Sequence, residues 1–258
     1  MTRSACSNTE STMKNVDTEM TPSRLLRRKI SMASPRLDAA GIALWNHPSF
    51  ADIYPNYLFH NHAVVRASVP LMTAALDSAL TTWKGDPVAF GLADYLSQHI
   101  PEEMHHDDWL LEDLQVLGAD PAEVVKRMPS PSVATLVGSQ YYWIFHYHPV
   151  AVLGYIAVLE GNPPETEHIE RVANRTGVPL EAFSTLSRHA GLDPYHRDDL
   201  DRTLDRLPLN PSHSALLGVS AFQTVHWLSR VVEEAIEPPD VRRRGSRSQA
   251  TSASHPIQ

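Results

Sequence analysis

Along this chain Ser, Asp or Asn is repeatedly followed directly by proline: Ser34-Pro35, Asp86-Pro87, Asp120-Pro121, Ser130-Pro131, Asn162-Pro163, Asp193-Pro194 and Asn210-Pro211. A Ser, Asp or Asn side chain accepts from the free N–H groups of a helix's first turn. Proline fits the first helical position because its missing donor would have had no partner there. Glycines at Gly118, Gly161, Gly177 and Gly191 suit the left-handed residue that closes a helix. Between these marks apolar residues recur at helical spacing, and no alternating strand pattern persists. The punctuation predicts long helices near 49–83, 87–117, 131–160 and 211–236, and shorter ones near 35–46, 121–127, 164–176, 179–190 and 194–206. Such a chain, without internal repeats, is expected to form one all-α domain, a bundle of about seven to nine helices.

Composition bounds the function classes. With 258 residues and 42% apolar side chains, the chain can bury one ample core. No apolar run approaches the roughly 20 residues of a membrane span, and no secretion signal opens the chain, so a soluble protein is expected. Cys6 is the only cysteine. It leaves no disulfide framework and no thiolate set for zinc, and points to a reducing, cytoplasmic setting. The 30 acidic against 22 basic residues, net −8, disfavour nucleic acid as a partner. Residues 1–33, with the basic patch Arg24–Lys29, and the tail 238–258 are rich in Ser, Thr and charge. Neither buries enough apolar surface to offset its ordering entropy, so both are expected to be disordered, leaving a domain over 34–237.

The segment HIPEEMHHDDWLLEDL holds two overlapping Glu-x-x-His pairs, and helical periodicity chooses between them. Steps of three or four from Leu96 reach His99, Glu103, His106, Leu110 and Leu114, apolar at both ends. The other frame, Gln98, Glu102, His105, Asp108 and Glu112, is polar throughout. Glu103 and His106 are therefore predicted to point inward, with His99 on their face. A buried carboxylate costs several kcal/mol unless something pairs with it, and a metal cation is the natural compensation. A Glu–His hydrogen bond without metal satisfies this short motif equally well.

Two further segments carry the same residue types. Glu160 ends an apolar stripe of Leu153, Ile156 and Ala157, as a helix-end residue or as a ligand. His189, Asp193 and His196 follow at i, i+4 and i+7, one face of a continuous helix. Gly191 and Pro194 predict a break instead, one helix ending near Ala190 and another starting with Asp193 as its N-cap. Asp193 then caps, or caps and binds metal together, and the three residues flank a hinge. Imidazoles and carboxylates without thiolate suit iron or manganese better than structural zinc. Helical bundles build carboxylate-bridged two-metal sites from such groups, ordinarily with two Glu-x-x-His motifs. Here His-x-x-x-Asp-x-x-His replaces the second.

EEMHHDDWLLEDL, then VLEG, then HAGLDPYH followed by LDRLPL, in this order and separation, resemble the heme-oxygenase-like di-iron oxidases. These share their fold with heme oxygenases and TenA-type thiaminases, and the resemblance spans roughly Pro35 to Glu237. It implies a heme-oxygenase-like (TenA-like) bundle in which Glu103, His106, Glu160, His189, Asp193 and His196 ligate two iron ions. Some members carry the first carboxylate one turn earlier, where this chain has His99, which makes His99 a seventh ligand or a donor to one. The resemblance further implies O2 as co-substrate and a small metabolite as substrate. The outcome is N-oxygenation of an amine or amino-acid derivative, or oxidative C–C cleavage or decarboxylation, in specialised biosynthesis. The family's third core helix is often pliable, so iron is expected to be lost easily on isolation.

Other polar residues on expected inner faces are His60, His62, Arg66, Tyr142, His146 and His226, and of these His62, Arg66, Tyr142, His146 and His226 are candidates to line a substrate pocket. Arg66 suits a substrate carboxylate, or a surface acid. His146 and His226 sit among Trp143, Phe145, Phe222 and Trp227, in the pocket or as satisfied core histidines. Beyond the substrate, an external electron donor and a second copy of the chain are the partners envisaged, with no nucleic acid and no membrane. Competing functions are a metal-dependent phosphohydrolase built on the doublet His106-Asp107, using a metal-bound water, and a helical iron-binding protein without turnover. A thiaminase would need a thiol in the pocket, and Cys6 lies in the tail. A heme oxygenase would leave the carboxylates unexplained.

Overall fold

A computed structural model describes residues 20–161 and 164–237. Among the described residues eleven α-helices follow one another without a strand: α1 (Pro22–Ala33), α2 (Pro35–Trp45), α3 (Phe50–Leu80), α4 (Pro87–Glu103), α5 (His106–Val116), α6 (Pro121–Lys126), α7 (Pro131–His146), α8 (Val152–Leu159), α9 (Thr166–Thr176), α10 (Ser184–Arg206) and α11 (Pro211–Ile236). Short 3-10 turns at Pro149–Ala151 and Leu180–Phe183 precede α8 and α10. The cap-proline signal starts α4, α6, α7 and α11 as expected. Asp86 accepts from Val88 and Ala89, Asp120 from Ala122, Ser130 from Val133 and Asn210 from His213. Asn162-Pro163, Cys6 and the tail from Pro238 lie outside the described residues.

Four expectations are corrected. The basic patch Arg24–Lys29 is not a disordered arm: it lies on α1, which buries Leu26. Arg27 there pairs with Asp201 at 2.8 Å and donates to the Ala157 carbonyl, while Lys29 donates to that of Ser214. The helix expected over 87–117 is split, because Met104 is extended and His105 is left-handed with φ 71°. The helix expected over 131–160 is also split. Pro149 drives His148 to an extended backbone, and the His148 side chain caps the turn that follows. The helices expected over 179–190 and 194–206 instead run together as α10. Pro194 lies inside it, and Asp193 is no N-cap.

Proline in a helix interior removes one hydrogen bond and typically costs about 3 kcal/mol. In α10 that cost is offset by burial and by a strong start. Asp113 on α5, fully buried, accepts from Ser184 N (3.1 Å), Ser184 Oγ (2.7 Å) and Thr185 N (3.1 Å). A carboxylate suits the positive end of the helix dipole. Thr185, Leu186, Asp193, His196, Leu200 and Leu204 then form one buried face down α10.

α3 is the central helix, packed against α4, α5, α7 and α11. By length and composition it is the one described helix that qualifies as a membrane span, contrary to the sequence expectation. It is nonetheless a core helix, burying Leu58, Val64, Leu71, Met72 and Ala75 along with His60 and His62. One apolar cluster joins α3, α4, α7, α8 and α11 around Leu71, Leu92, Leu96, Leu136 and Leu153. A second, around Phe50, Tyr54, Leu110, Leu114 and Phe183, joins α2, α3, α5, α9 and the turn before α10. The α4–α5 junction passes from Leu96 in the first to Leu110 in the second, so its polar residues sit between two apolar masses.

The left-handed His105 sits at that junction, where a non-glycine side chain costs roughly 1 kcal/mol. His105→Gly should hold the melting temperature of the metal-free protein or raise it by roughly 2–4 °C. His105→Val should lower it by more than His105→Gly raises it. Equal melting by circular dichroism for all three proteins would show that no strain is stored there.

Candidate metal centre

Glu103 is the last residue of α4 and His106 the first of α5. His99, His106, Leu96, Leu110 and Leu114 are buried and Glu103 nearly so, whereas Gln98, Glu102, His105, Asp108 and Glu112 are exposed. The inward frame is the one the periodicity selects, although the chain kinks within it. Glu160 closes α8, whose residues Val152–Val158 are all buried. α10 carries His189, Asp193 and His196 on its inner side.

These seven residues converge. Donor atoms of Glu103, His106 and His189 lie within 4.8 Å of one another, and those of His99, Glu103, Glu160 and His196 form a second such set. Glu103 belongs to both, and its two oxygens divide between them. Oε2 lies 3.2 Å from His106 Nδ1, and Oε1 lies 3.3 Å from His196 Nδ1. His99 Nε2 lies 2.9 Å from Glu160 Oε1. The ring pairs His106–His189 and His99–His196 each meet edge to face at 5.0 Å. Asp193 joins neither set, yet it is only 4% exposed and feels both Glu160 and Glu103.

Burial and charge pull these groups apart. Burial opposes ionisation of Glu103, but His106, His99 and His196 outweigh it and hold its carboxyl below the usual range. Glu160 is raised by burial, only partly offset by His99. Asp193 is pushed up to about 8 by burial and by repulsion from Glu160 and Glu103. His99 is raised because Glu160, Glu103 and Glu102 overcome its desolvation. His189 is lowered by burial. Three carboxylates thus share a space too small and dry for three negative charges, a problem that a cation or a bound proton resolves.

The unpaired atoms favour the cation. Glu103 Oε1, His106 Nδ1, Glu160 Oε2, Asp193 Oδ1 and His196 Nδ1 are all buried without a hydrogen-bond partner. Each such atom carries a desolvation penalty of about 1–3 kcal/mol. The metal-free alternative pairs His99 with Glu160 and sets His106 and His196 beside the Glu103 oxygens, but it leaves Glu160 Oε2 and Asp193 Oδ1 with nothing to face. His189 Nδ1 is held at 2.9 Å by the Thr185 carbonyl, which fixes that nitrogen as the donor and presents Nε2 as a lone pair. Imidazole and carboxylate without sulfur fit iron or manganese. Asp107 joins neither set, so the His-Asp doublet has no counterpart in the geometry.

A cavity of about 780 Å³ opens onto Glu103, Glu160, His189 and Asp193. Leu44, Trp45, Val64, Met72, Ile156 and Val231 give it an apolar wall, with Tyr57, His60, Asn61, His168, Arg27 and Arg197 as polar groups. Burial raises the Tyr57 phenol to about 12. Of the inner-face polar residues expected from sequence, His60 is on this wall, and the five offered as substrate contacts are not. Tyr142, His146 and His226 are exposed on the outer faces of α7 and α11, and Arg66 is exposed and donates to the Val125 carbonyl. His62 is buried, but it lies beside α5, where Asp107 and Asp108 act on it.

Sequence reasoning also missed three supports of the site. Trp109 stacks on His106 at 4.0 Å and meets His189 edge-on at 5.8 Å. Tyr95, one turn before His99, stacks on it at 5.0 Å and buries a hydroxyl without a partner. Asp113 sets the start of α10. The i, i+3 and i, i+4 spacings of the two aromatics to their histidines were the available signal.

A sequence profile described as an iron-containing redox enzyme matches residues 57–221. Solved structures with the same architecture include a domain of unknown function with a heme oxygenase-like fold from Shewanella denitrificans, 16% identical, with a TM-score of 0.66 over 92% of this chain and 98% of that one. A CADD-like protein of unknown function from Nostoc punctiforme is 19% identical, with a TM-score of 0.62 over 84% of this chain and 99% of that one. A TenA homolog from Pseudomonas syringae is 16% identical, with a TM-score of 0.61 over 85% and 94%. No curated protein matches in sequence. At these identities the structures establish the heme oxygenase-like fold.

The raised Asp193 carboxyl makes the metal-free protein pH-sensitive. Its stabilising proton is fully present below the unfolded value of about 3.9 and is lost as pH rises through about 8. Asp193→Asn should therefore melt higher than wild type without metal, by several degrees at pH 8 and by less toward pH 5, while its ferrous affinity falls. A variant that melts lower at pH 8 would show that Asp193 is structural rather than held for a cation.

Proposed function

The chain belongs to the iron-containing redox enzyme family, and we propose that it is a non-heme di-iron oxidase or oxygenase acting with O2 on a small metabolite. The observation that carries this reading is Glu103, whose two oxygens address different histidines in two donor sets that meet only at that residue. In it, Glu103, His106 and His189 would hold one iron, Glu103, His99, Glu160 and His196 would hold the other, and Asp193 would complete the set. Two ferrous ions held there would supply the electrons that reduce O2. The protein contributes position and dryness. Thr185 orients His189, Trp109 and Tyr95 fix His106 and His99 by stacking, and the apolar wall excludes water from the substrate side. Asp193 Oδ1, unpaired at the cavity edge, is placed to hold a proton when it is not bound to metal.

The cavity suits a substrate with an apolar body and one polar end. N-oxygenation of an amine or amino-acid derivative leads, and oxidative C–C cleavage or decarboxylation is the second outcome. Arg66 has no part in it, and Arg197 is the exposed cation that the wall does hold. An external electron donor completes the cycle, and a reducing compartment such as the cytoplasm suits a ferrous cofactor.

Anaerobic ferrous titration of metal-free protein followed by mixing with O2 tests the proposal. The expected result is two irons per chain, O2 consumption and a transient visible absorption, abolished in His189→Ala and in His196→Ala. One tightly held zinc without O2 uptake would overturn it, as would an unchanged absorption in either variant.

A further inference from the structure

No Asp, Glu, Lys or Arg occurs between Arg127 and Glu160, nor between Arg206 and Arg230, in a chain that is 20% charged. The first gap contains α7 and α8, the second most of α11. Buried α8 explains its own share, but α7 and α11 both reach the surface. They lie side by side, joined by Trp143 Nε1 donating to Gln223 Oε1 at 2.6 Å and Gln140 Nε2 donating to Thr224 Oγ1 at 3.2 Å. Beside this seam Tyr142 and Phe145 on α7 are 58% and 60% exposed and Phe222 on α11 is 62% exposed, and Val219, His146 and His226 are exposed on the same two helices. On the other long helices, isolated exposed apolar residues such as Leu80 and Phe90 are interspersed with exposed charge, Asp52, Arg66 and Asp77 on α3 and Asp94 and Glu102 on α4. Here two whole turns of each helix present aromatic, small and neutral residues to solvent.

We propose that this α7–α11 face is the site where a second copy of the chain docks, across a two-fold axis that packs the helix pair against itself. Charge argues for the occupant. Two copies each carrying a net −8 repel one another, and this face is where they meet without bringing like charges together. A membrane surface or a nucleic acid would instead call for Lys and Arg among the aromatics, and none lies within either gap. Area argues the same way. Three rings of 150–250 Å² each, more than half exposed, offer roughly 300 Å², and Val219 with the two histidines brings the face to about 500–600 Å². That is at the upper end of what a monomer leaves open. With a polar rim it reaches the roughly 800 Å² per partner of a stable interface. Rim groups are present: Lys29 lies against Gly218 at one end, and Arg36, Arg230 and Glu233 form an ion-pair cluster beyond Ser229 at the other.

Sedimentation velocity on the full-length protein at micromolar concentration tests this. Wild type is expected to sediment as a dimer. Phe222→Glu and, independently, Tyr142→Glu are expected to shift it to monomer, with helical circular dichroism and ferrous stoichiometry unchanged. Phe90→Glu, at an exposed ring on α4, is the control and should leave the dimer intact. A wild-type monomer would overturn the proposal, whether or not it binds phosphatidylcholine–phosphatidylglycerol vesicles. A dimer that persists in both folded variants would also overturn it, placing the interface on another face.

Discussion

A single buried carboxylate, Glu103, sets the terms for this structure. It stands between two apolar masses with a histidine facing each of its oxygens, and an ion so placed is tolerable only when every neighbour is arranged around it. The local features of the fold answer to that requirement. The chain accepts a left-handed His105 so that α4 and α5 meet at an angle with Glu103 and His106 on either side. α8 is apolar throughout and stops with Glu160 at the same point. α10 tolerates a proline in its middle because Asp113 secures its start and the buried side holds its length.

The site is therefore a balance of penalties rather than a set of favourable contacts. Glu103 remains ionised because three imidazoles surround it, while Glu160 and Asp193 are driven toward their neutral forms. A protein stabilised for its own sake would not gather three carboxylates out of water. A cation turns the same arrangement into a favourable one, since it replaces protons and satisfies the atoms that the chain alone leaves unpaired.

Much of this was legible in the sequence, and the exceptions have physical reasons. Cap-proline pairs located helix starts where the preceding backbone was free to be extended. The same pair at Asp193-Pro194 misled, because proline is allowed both at a first turn and, at a cost, inside a helix held by tertiary burial. Periodicity found the inward face through Leu96, His99, Glu103 and His106, since apolar residues flank it on both sides. It failed for Tyr142, His146 and His226, because α7 and α11 carry aromatic residues on both faces and a pattern without charge does not say which face is buried. Arg27 and Leu26 were hidden in a segment whose composition reads as a tail. Trp109, Tyr95 and Asp113 act through partners distant in sequence or one turn away, which single-residue patterns do not weigh.

The most direct measurement is anomalous diffraction at the iron edge from crystals grown anaerobically with ferrous iron. The account predicts two iron peaks per chain on opposite sides of the Glu103 carboxylate, one toward His106 and His189, the other toward His99, Glu160 and His196. A single peak, or two peaks that Glu103 does not separate, would contradict it.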